Sequence, residues 1–373
     1  MNLFNSKYIL SNKRFGWIDY DRGISIILVT YRHCYESIEK AGFHMKDYPF
    51  LEYINVFFFG FRMPLFFIAS GIFVSGSLRK RGLPPYAKNR VQSILYPMLV
   101  WGILQISLQM LFSNYTNSDV KPISYLYLLI NPRATGQFWY LNALFFVGII
   151  YSFLKVKGNV KLWQQVLIGL ALYSFAAYIS TTDYNIGFIK DICKFYIFFS
   201  IGDAVSEYML SEKAARTFTS WKLVVPLLIT FSVTQYFFTK INLQQGDNYW
   251  VENRMPVLFM VVALIGCAIS MVASFSLKRY GGAKFLRVVG FNSVHIYCMQ
   301  IIAMSVARLV FFKVLHITYL PALVLLVLAA GVMLPMLFYN FCLRLNLWWL
   351  FSLKKPSDDE LQFLVKQKLT TTT

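Results

Sequence analysis

The sequence predicts an all-α protein: a polytopic membrane bundle of about ten transmembrane helices, with both termini in the cytoplasm. Three observations carry this. Of 373 residues, 57% are hydrophobic and only 14% are charged, and mean hydropathy is +0.52, more apolar surface than a soluble domain of this size needs. The apolar residues fall in runs of about 20, the helix length that crosses a bilayer. The basic residues gather in alternate connections between those runs, the pattern of cytoplasmic loops.

The spans are expected near 15–35, 53–75, 91–112, 138–154, 163–180, 186–208, 223–239, 255–276, 291–312 and 319–342. One set of connections is the amino terminus, 76–90, 155–162, 209–222, 277–290 and the carboxyl tail; it holds 23 of the 36 Lys and Arg residues. The opposite set, 36–52, 113–137, 181–185, 240–254 and 313–318, holds seven, and six lie in or at the ends of spans. That asymmetry puts the first set in the cytoplasm. No small-residue cleavage pattern follows the first apolar run, so the first span is expected to be kept rather than removed as a signal peptide. The chain is expected to form one membrane domain, 1–350, with a short cytoplasmic tail, 351–373. Beyond Pro356 the tail has the pattern of a short amphipathic helix at the membrane surface.

The formal charge of +19 has two readings: an anionic partner such as nucleic acid, or loops that fix topology. Its distribution among loops favours topology, and no nucleic-acid partner is expected. The cysteines Cys34, Cys193, Cys267, Cys298 and Cys342 are scattered with no CxxC and no Cys/His cluster. Neither a disulfide framework nor a metal site is predicted.

Several spans carry groups that an ordinary lipid anchor lacks. The first holds Asp19, Arg22 and His33. Arg22 and His33 are eleven residues apart, so at about 100° per residue they return to one stripe, about 16 Å apart along the axis. A cation in an apolar helix usually faces a bundle interior. An imidazole can act as base, acid or transient nucleophile, although a histidine at a span end also has the plain reading of a wet interfacial side chain. Glu36, one turn on, is placed to orient the ring or to sit as a solvated loop charge. In the second span, Arg62 lies well inside the apolar run and Pro64 removes a backbone hydrogen bond, predicting a kink that opens a polar wall; the alternative is a snorkelling arginine and an ordinary kink. Arg79, Lys80, Arg81, Lys88 and Arg90 make the first cytoplasmic loop strongly basic. That suits phosphate groups and equally suits anionic lipid. Trp139 and Tyr140 stand at the outer end of the fourth span, where an aromatic belt accounts for them. Lys190 and Lys194 share a face of the sixth span and read as snorkelling lysines, with Asp203 near its inner end. His295 reads as a locally paired residue at the start of the ninth.

Taken together, Asp19-x-x-Arg22-Gly23 with Arg22-x10-His33, Arg62-Met-Pro-Leu-Phe-Phe-x-x-Ser70-Gly71, Trp139-Tyr-Leu-x-Ala-Leu-Phe145 and Asn292-Ser-x-x-Ile-Tyr297 resemble acyltransferase family 3, the membrane O-acyltransferases of surface or lipid-linked carbohydrates. The motifs extend over roughly 15–310. The resemblance implies a helix bundle around a funnel in the plasma (bacterial inner) membrane. It implies transfer of an acyl group, most often acetyl, from cytoplasmic acetyl-CoA to a sugar hydroxyl. His33 would be the catalytic histidine and Arg22 its partner. Asp19, Arg62, Ser70, Arg79, Arg81, Arg90 and Tyr140 would bind the donor or line the cavity. Acetyl-CoA would be a substrate, with no permanently bound cofactor; partners would be the acyl-CoA, a carbohydrate or lipid-linked glycan, and membrane lipids. Two positions depart from the family pattern: Ser93 stands where a second arginine often follows the one matching Arg90, and Gln300 where a histidine often follows the Ile-Tyr of the ninth span. A competing reading is a glycan carrier or flippase without covalent chemistry, against which no inverted repeat stands out.

The topology is open to direct measurement. Green fluorescent protein fused after Pro356 is expected to fluoresce in the cytoplasm, and the same fusion within 113–137 to stay dark. A bright fusion at the second site would reverse the assignment of loops.

Overall fold

A computed structural model describes residues 4, 6–11, 15–113, 120–182 and 184–356. Lys13, Arg14 and the expected amphipathic helix beyond Pro356 lie outside the described residues. Among those described, no strand occurs. Ten long helices follow one another: α1 Gly16–Glu39, α2 Pro49–Arg81, α3 Leu83–Leu111, α4 Trp139–Val156, α5 Leu162–Ile179, α6 Phe188–Ala204, α7 Trp221–Gln245, α8 Pro256–Tyr280, α9 Ser293–Val314 and α10 Leu320–Arg344. Eight of them are long and apolar enough to cross a membrane. The two outside that set are α1, which carries Asp19, Asp21, Arg22, Arg32, Glu36 and Glu39, and α6, 17 residues long and bearing Lys190, Asp191, Lys194 and Asp203.

Helix runs further than the apolar stretches. The expected 76–90 loop is helical on both sides of Gly82, as Val74–Arg81 and Leu83–Arg90. Arg and Lys are good helix formers, while Gly82, at φ 75°, adopts a conformation other residues resist. Pro84 and Pro85 open the second piece, where their missing N–H groups cost nothing. The interruption expected at Pro64 lies elsewhere: Phe59–Gly71 runs through it, and the helix breaks at Phe58. That break frees the Phe57 carbonyl, which accepts a hydrogen bond from Gln235 Nε2 of α7 at 2.5 Å. Pro64 orphans only the Gly60 carbonyl, four residues back and in the first turn after the break.

The described chain divides into two compact units. The first comprises Met1–Glu52, Leu99–Val120 and Leu277–Thr373. At its centre α1 packs on the short helix Lys284–Phe291, on α9 and on α10. Glycines make the first contact. A Cβ on Gly23 would lie 2.3 Å from the Leu286 carbonyl oxygen, and one on Gly290 only 1.7 Å from that of Asp19. Further along, Cys34, Tyr35 and Ile38 join Met304, Leu320, Leu323, Val324 and Val327 in an apolar core. Polar ties accompany it: Tyr31 OH donates to the Leu51 carbonyl at 2.8 Å, and the Arg308 guanidinium donates to that of Ser37.

The second unit comprises Tyr53–Met98 and Lys121–Ser276. Here α6 is central, packed on α2, α4 and α5. Gly71 of α2 and Gly202 of α6 meet backbone to backbone: a Cβ on Gly71 would lie 2.1 Å from the Phe199 carbonyl oxygen, and one on Gly202 2.3 Å from that of Ile68. Small residues allow such close crossings in lipid, where dispersion replaces the hydrophobic drive. The Phe67 and Phe195 rings stack at 4.7 Å beside this crossing.

Gly290→Ala and Gly202→Ala are each expected to lower stability by about 1–3 kcal/mol, the usual cost of overpacking, seen as a lower melting temperature in detergent. Unchanged melting would mean these crossings are looser than described.

Candidate functional site

In the first unit the predicted residues share α1. His33 is half-buried, with Nδ1 3.5 Å from Glu36 Oε2. The other Glu36 oxygen sits 2.5 Å from Arg32 Nη2. Glu36 therefore serves two neighbours one turn back, the spacing at which helical side chains meet. Arg22 is half-buried, while Asp21 and Gly23 beside it are buried. Asp19, Gly23, Thr30, Cys34 and Ser37, which contact the neighbouring helices, lie about 70° round α1 from the Arg22–His33 stripe, beside which Ile26 and Val29 are also buried.

One turn before His33, three helices lock together. Thr30 Oγ1 lies 2.8 Å from the Ile26 carbonyl oxygen and 2.6 Å from Gln300 Oε1 of α9. A Cβ on Gly331 of α10 would lie 2.6 Å from Met304 and 3.0 Å from Thr30. Gln300 is fully buried, so the position where the family pattern puts a histidine holds a side chain that fixes α1 to α9. Immediately after His33, Cys34 Sγ donates to the Val324 carbonyl at 3.5 Å. The backbone carrying the imidazole is thus held on both sides. Asp19 is buried, with Oδ2 3.9 Å from Arg287 Nη2, beyond hydrogen-bond length.

Arg62, Ser70, Arg79, Arg81, Arg90 and Tyr140 belong to the second unit. Arg62 is only 4% exposed, its guanidinium 4.8 Å above the Phe59 ring, so it does not snorkel. Ser70 is half-buried, next to the Gly71 crossing, and Arg79 and Arg81 are exposed. Arg90 is half-buried: Nε donates to Tyr86 OH at 2.9 Å, and the guanidinium packs against Phe199 and Gly148. Tyr140 is 5% exposed, boxed by Phe66 at 5.3 Å and Phe67 at 5.5 Å. Its ring is inside the unit, in contrast to the interfacial belt expected of it.

Two expectations change, and one ion pair is added. Lys194 is not a snorkelling residue but forms a buried ion pair with Glu252 at 2.6 Å. Asp191 binds Arg133 through both oxygens, at 2.9 Å each from Nε, and Arg133 lies 4.1 Å over the Trp139 ring. His295 is at a helix start as expected but is not paired locally; it stacks on Tyr339 of α10 at 3.7 Å, and Nδ1 has no hydrogen-bond partner among the described residues. Apolar periodicity reveals none of these partners, because each comes from a distant helix. No group of three or more His, Cys, Asp or Glu able to hold a metal occurs among the described residues.

Comparison with known proteins adds two findings. The family described as an acyltransferase domain matches residues 15–340. The nodulation protein NolL of Mesorhizobium japonicum is 25% identical over 153 residues, covering 41% of this chain and 39% of NolL. The chain thus spans about two-fifths of that relative's length. No solved structure matches the chain.

His295→Phe, which enlarges the ring by one atom but removes an unpartnered buried nitrogen, is expected to keep stability within about 1.5 kcal/mol, because the ring's described contacts are aromatic. A melting temperature several degrees lower would reveal a polar role for this imidazole.

Proposed function

Since this chain belongs to the acyltransferase-domain family and is a membrane acyltransferase, we propose that it moves an acetyl group from cytoplasmic acetyl-CoA to a hydroxyl of a polysaccharide or lipid-linked glycan in the plasma membrane. The observation that carries this reading is the His33–Glu36 pair on a helix held by Thr30 and Cys34. A carboxylate 3.5 Å from Nδ1 favours the proton on that nitrogen and leaves Nε2 as the basic one. Catalytic hydrogen bonds are often this long before substrate binds.

The chemistry then balances simply. His33 Nε2 takes the proton from the acceptor hydroxyl as its oxygen attacks the thioester carbonyl. The tetrahedral intermediate collapses, the C–S bond breaks, and the sulfur of coenzyme A leaves with the proton from the imidazolium. Glu36 stabilises that imidazolium. An alternative order passes the acyl group through His33 itself before the hydroxyl receives it. Arg22, on the same stripe of α1 as His33, holds the donor or offsets oxyanion charge. Arg90, half-buried and braced by Tyr86, suits a donor phosphate better than exposed Arg79 and Arg81, since bracing limits the ordering cost of binding.

The test supplies purified protein with labelled acetyl-CoA and candidate glycans. Wild type is expected to label an acceptor. His33→Ala is expected to lose at least about 100-fold in rate, the lower range for a general base, with normal folding, and Glu36→Gln to lose less. Undiminished transfer by His33→Ala would remove His33 from the mechanism. Substrate transport without acyl transfer would favour a carrier.

A further inference from the structure

Asp203 of α6 carries a carboxylate that the proposed acyl transfer at His33 does not use. It is 3% exposed and lies at the meeting of three helices in the second unit. Ser75 of α2 donates to its Oδ1. Tyr151 of α4 donates to Oδ2 at 2.6 Å. Lys155, one turn further along α4, donates to Oδ2 and to Ser75 Oγ. Both carboxylate oxygens are therefore occupied. The Gly71–Gly202 contact sets this meeting point, because it brings the α2 and α6 backbones together one turn before Ser75 and immediately before Asp203.

Lys155 is not sealed in: 27% of its side chain is exposed, against 1% for Asp203. A flexible ammonium is thus held in one place at the rim of the unit by a carboxylate beneath it. Arg90 packs on the same two helices. It touches Gly148 of α4, seven residues before Lys155, and Phe199 of α6, four residues before Asp203. Those intervals are about 10 Å and about 6 Å of helix. Arg90 has no carboxylate partner among the described residues; its described polar contact is Tyr86. Two cations on one face, with one carboxylate already neutralised, leave a net positive charge. Arg90 comes from α3 and Lys155 from α4, each held by its own partners, so the two cations suit distinct phosphate groups of one nucleotide.

We propose that Lys155 is a second phosphate-binding cation of the donor site, held in position by Asp203, Ser75 and Tyr151, and that it and Arg90 engage separate phosphates of the coenzyme A nucleotide. Asp203 is a positioning residue: it touches no donor atom but restricts Lys155 to one orientation, so less side-chain entropy is lost on binding. The inference rests on the donor reading above and adds residues to it.

The experiment measures binding of coenzyme A, dephospho-coenzyme A and adenosine 3′,5′-bisphosphate to detergent-purified protein, alongside thermal unfolding. Lys155→Gln is expected to weaken coenzyme A binding at least tenfold, Lys155→Arg to restore most of it, and Asp203→Asn to weaken it severalfold. Ser75→Ala, a milder change, is expected to fold normally and bind about two- to fivefold more weakly. In wild type, loss of the 3′-phosphate is expected to weaken binding; in Lys155→Gln or in Arg90→Gln, whichever cation faces that phosphate, it should have little further effect. Lower melting of Lys155→Gln and Ser75→Ala with unchanged coenzyme A affinity would overturn the proposal and leave a structural tie. Failure of wild type to bind coenzyme A at all would overturn the donor reading itself, and this inference with it.

Discussion

Charge taken out of water must meet a partner, and in a membrane the penalty for failing is several kcal/mol per group. That constraint explains why the two helices least suited to face lipid, α1 and α6, are the ones around which the two units are built. Arg32 answers Glu36 on α1, and Arg287 stands near Asp19. On α6, Arg133 answers Asp191, Glu252 answers Lys194, and Lys155 answers Asp203. Apolar helices then complete each unit. The same polar groups that make α1 and α6 poor spans make them candidates for chemistry.

Close packing makes the electrostatics possible. At Gly71 and Gly202, missing side chains let backbones touch, and the donors from Ser75 and Tyr151 then reach a carboxylate that would otherwise be stranded. At Gly23 and Gly290 the same device seats α1 on its neighbour. Breaking one partner of such a buried pair costs more than the pair contributes net, because it leaves the other charge uncompensated. The glycines and the charges are therefore one design feature, and neither is interpretable alone.

Much of this was legible in the sequence. Run length and loop charge announce a helical membrane bundle, and the spacing of Arg22, His33 and Glu36 places them on neighbouring stripes of one helix. Local chemistry was legible for the same reason, since partners within four residues are visible in one dimension. What the pattern hides is identity across helices. Asp203 was conspicuous as a carboxylate beside Gly202, yet its partners lie 48 to 128 residues away. His295 was visible as a helix start, but only packing shows its ring against Tyr339. The 76–90 segment looked like a loop because its charges break the apolar run, although charged residues are no obstacle to helix. The glycines beside the motif residues, Gly23 after Arg22 and Gly71 after Ser70, were the available signals of close approach.

The seating of α1 also bears on how the protein meets bilayers of different thickness. With Gly23 and Gly290 in backbone contact, α1 cannot slide by a residue without driving a side chain into a carbonyl, so the imidazole keeps its depth relative to its own unit. Large apolar side chains of α5 such as Trp163 and Leu167, and of α7 such as Ile229 and Val233, are exposed, which leaves these helices to face the acyl chains. Hydrophobic mismatch is relieved by tilt or by local lipid deformation. Within the second unit those adjustments fall to α5 and α7, whose large apolar side chains are exposed, while in the first unit the glycine seating of α1 fixes the depth of His33.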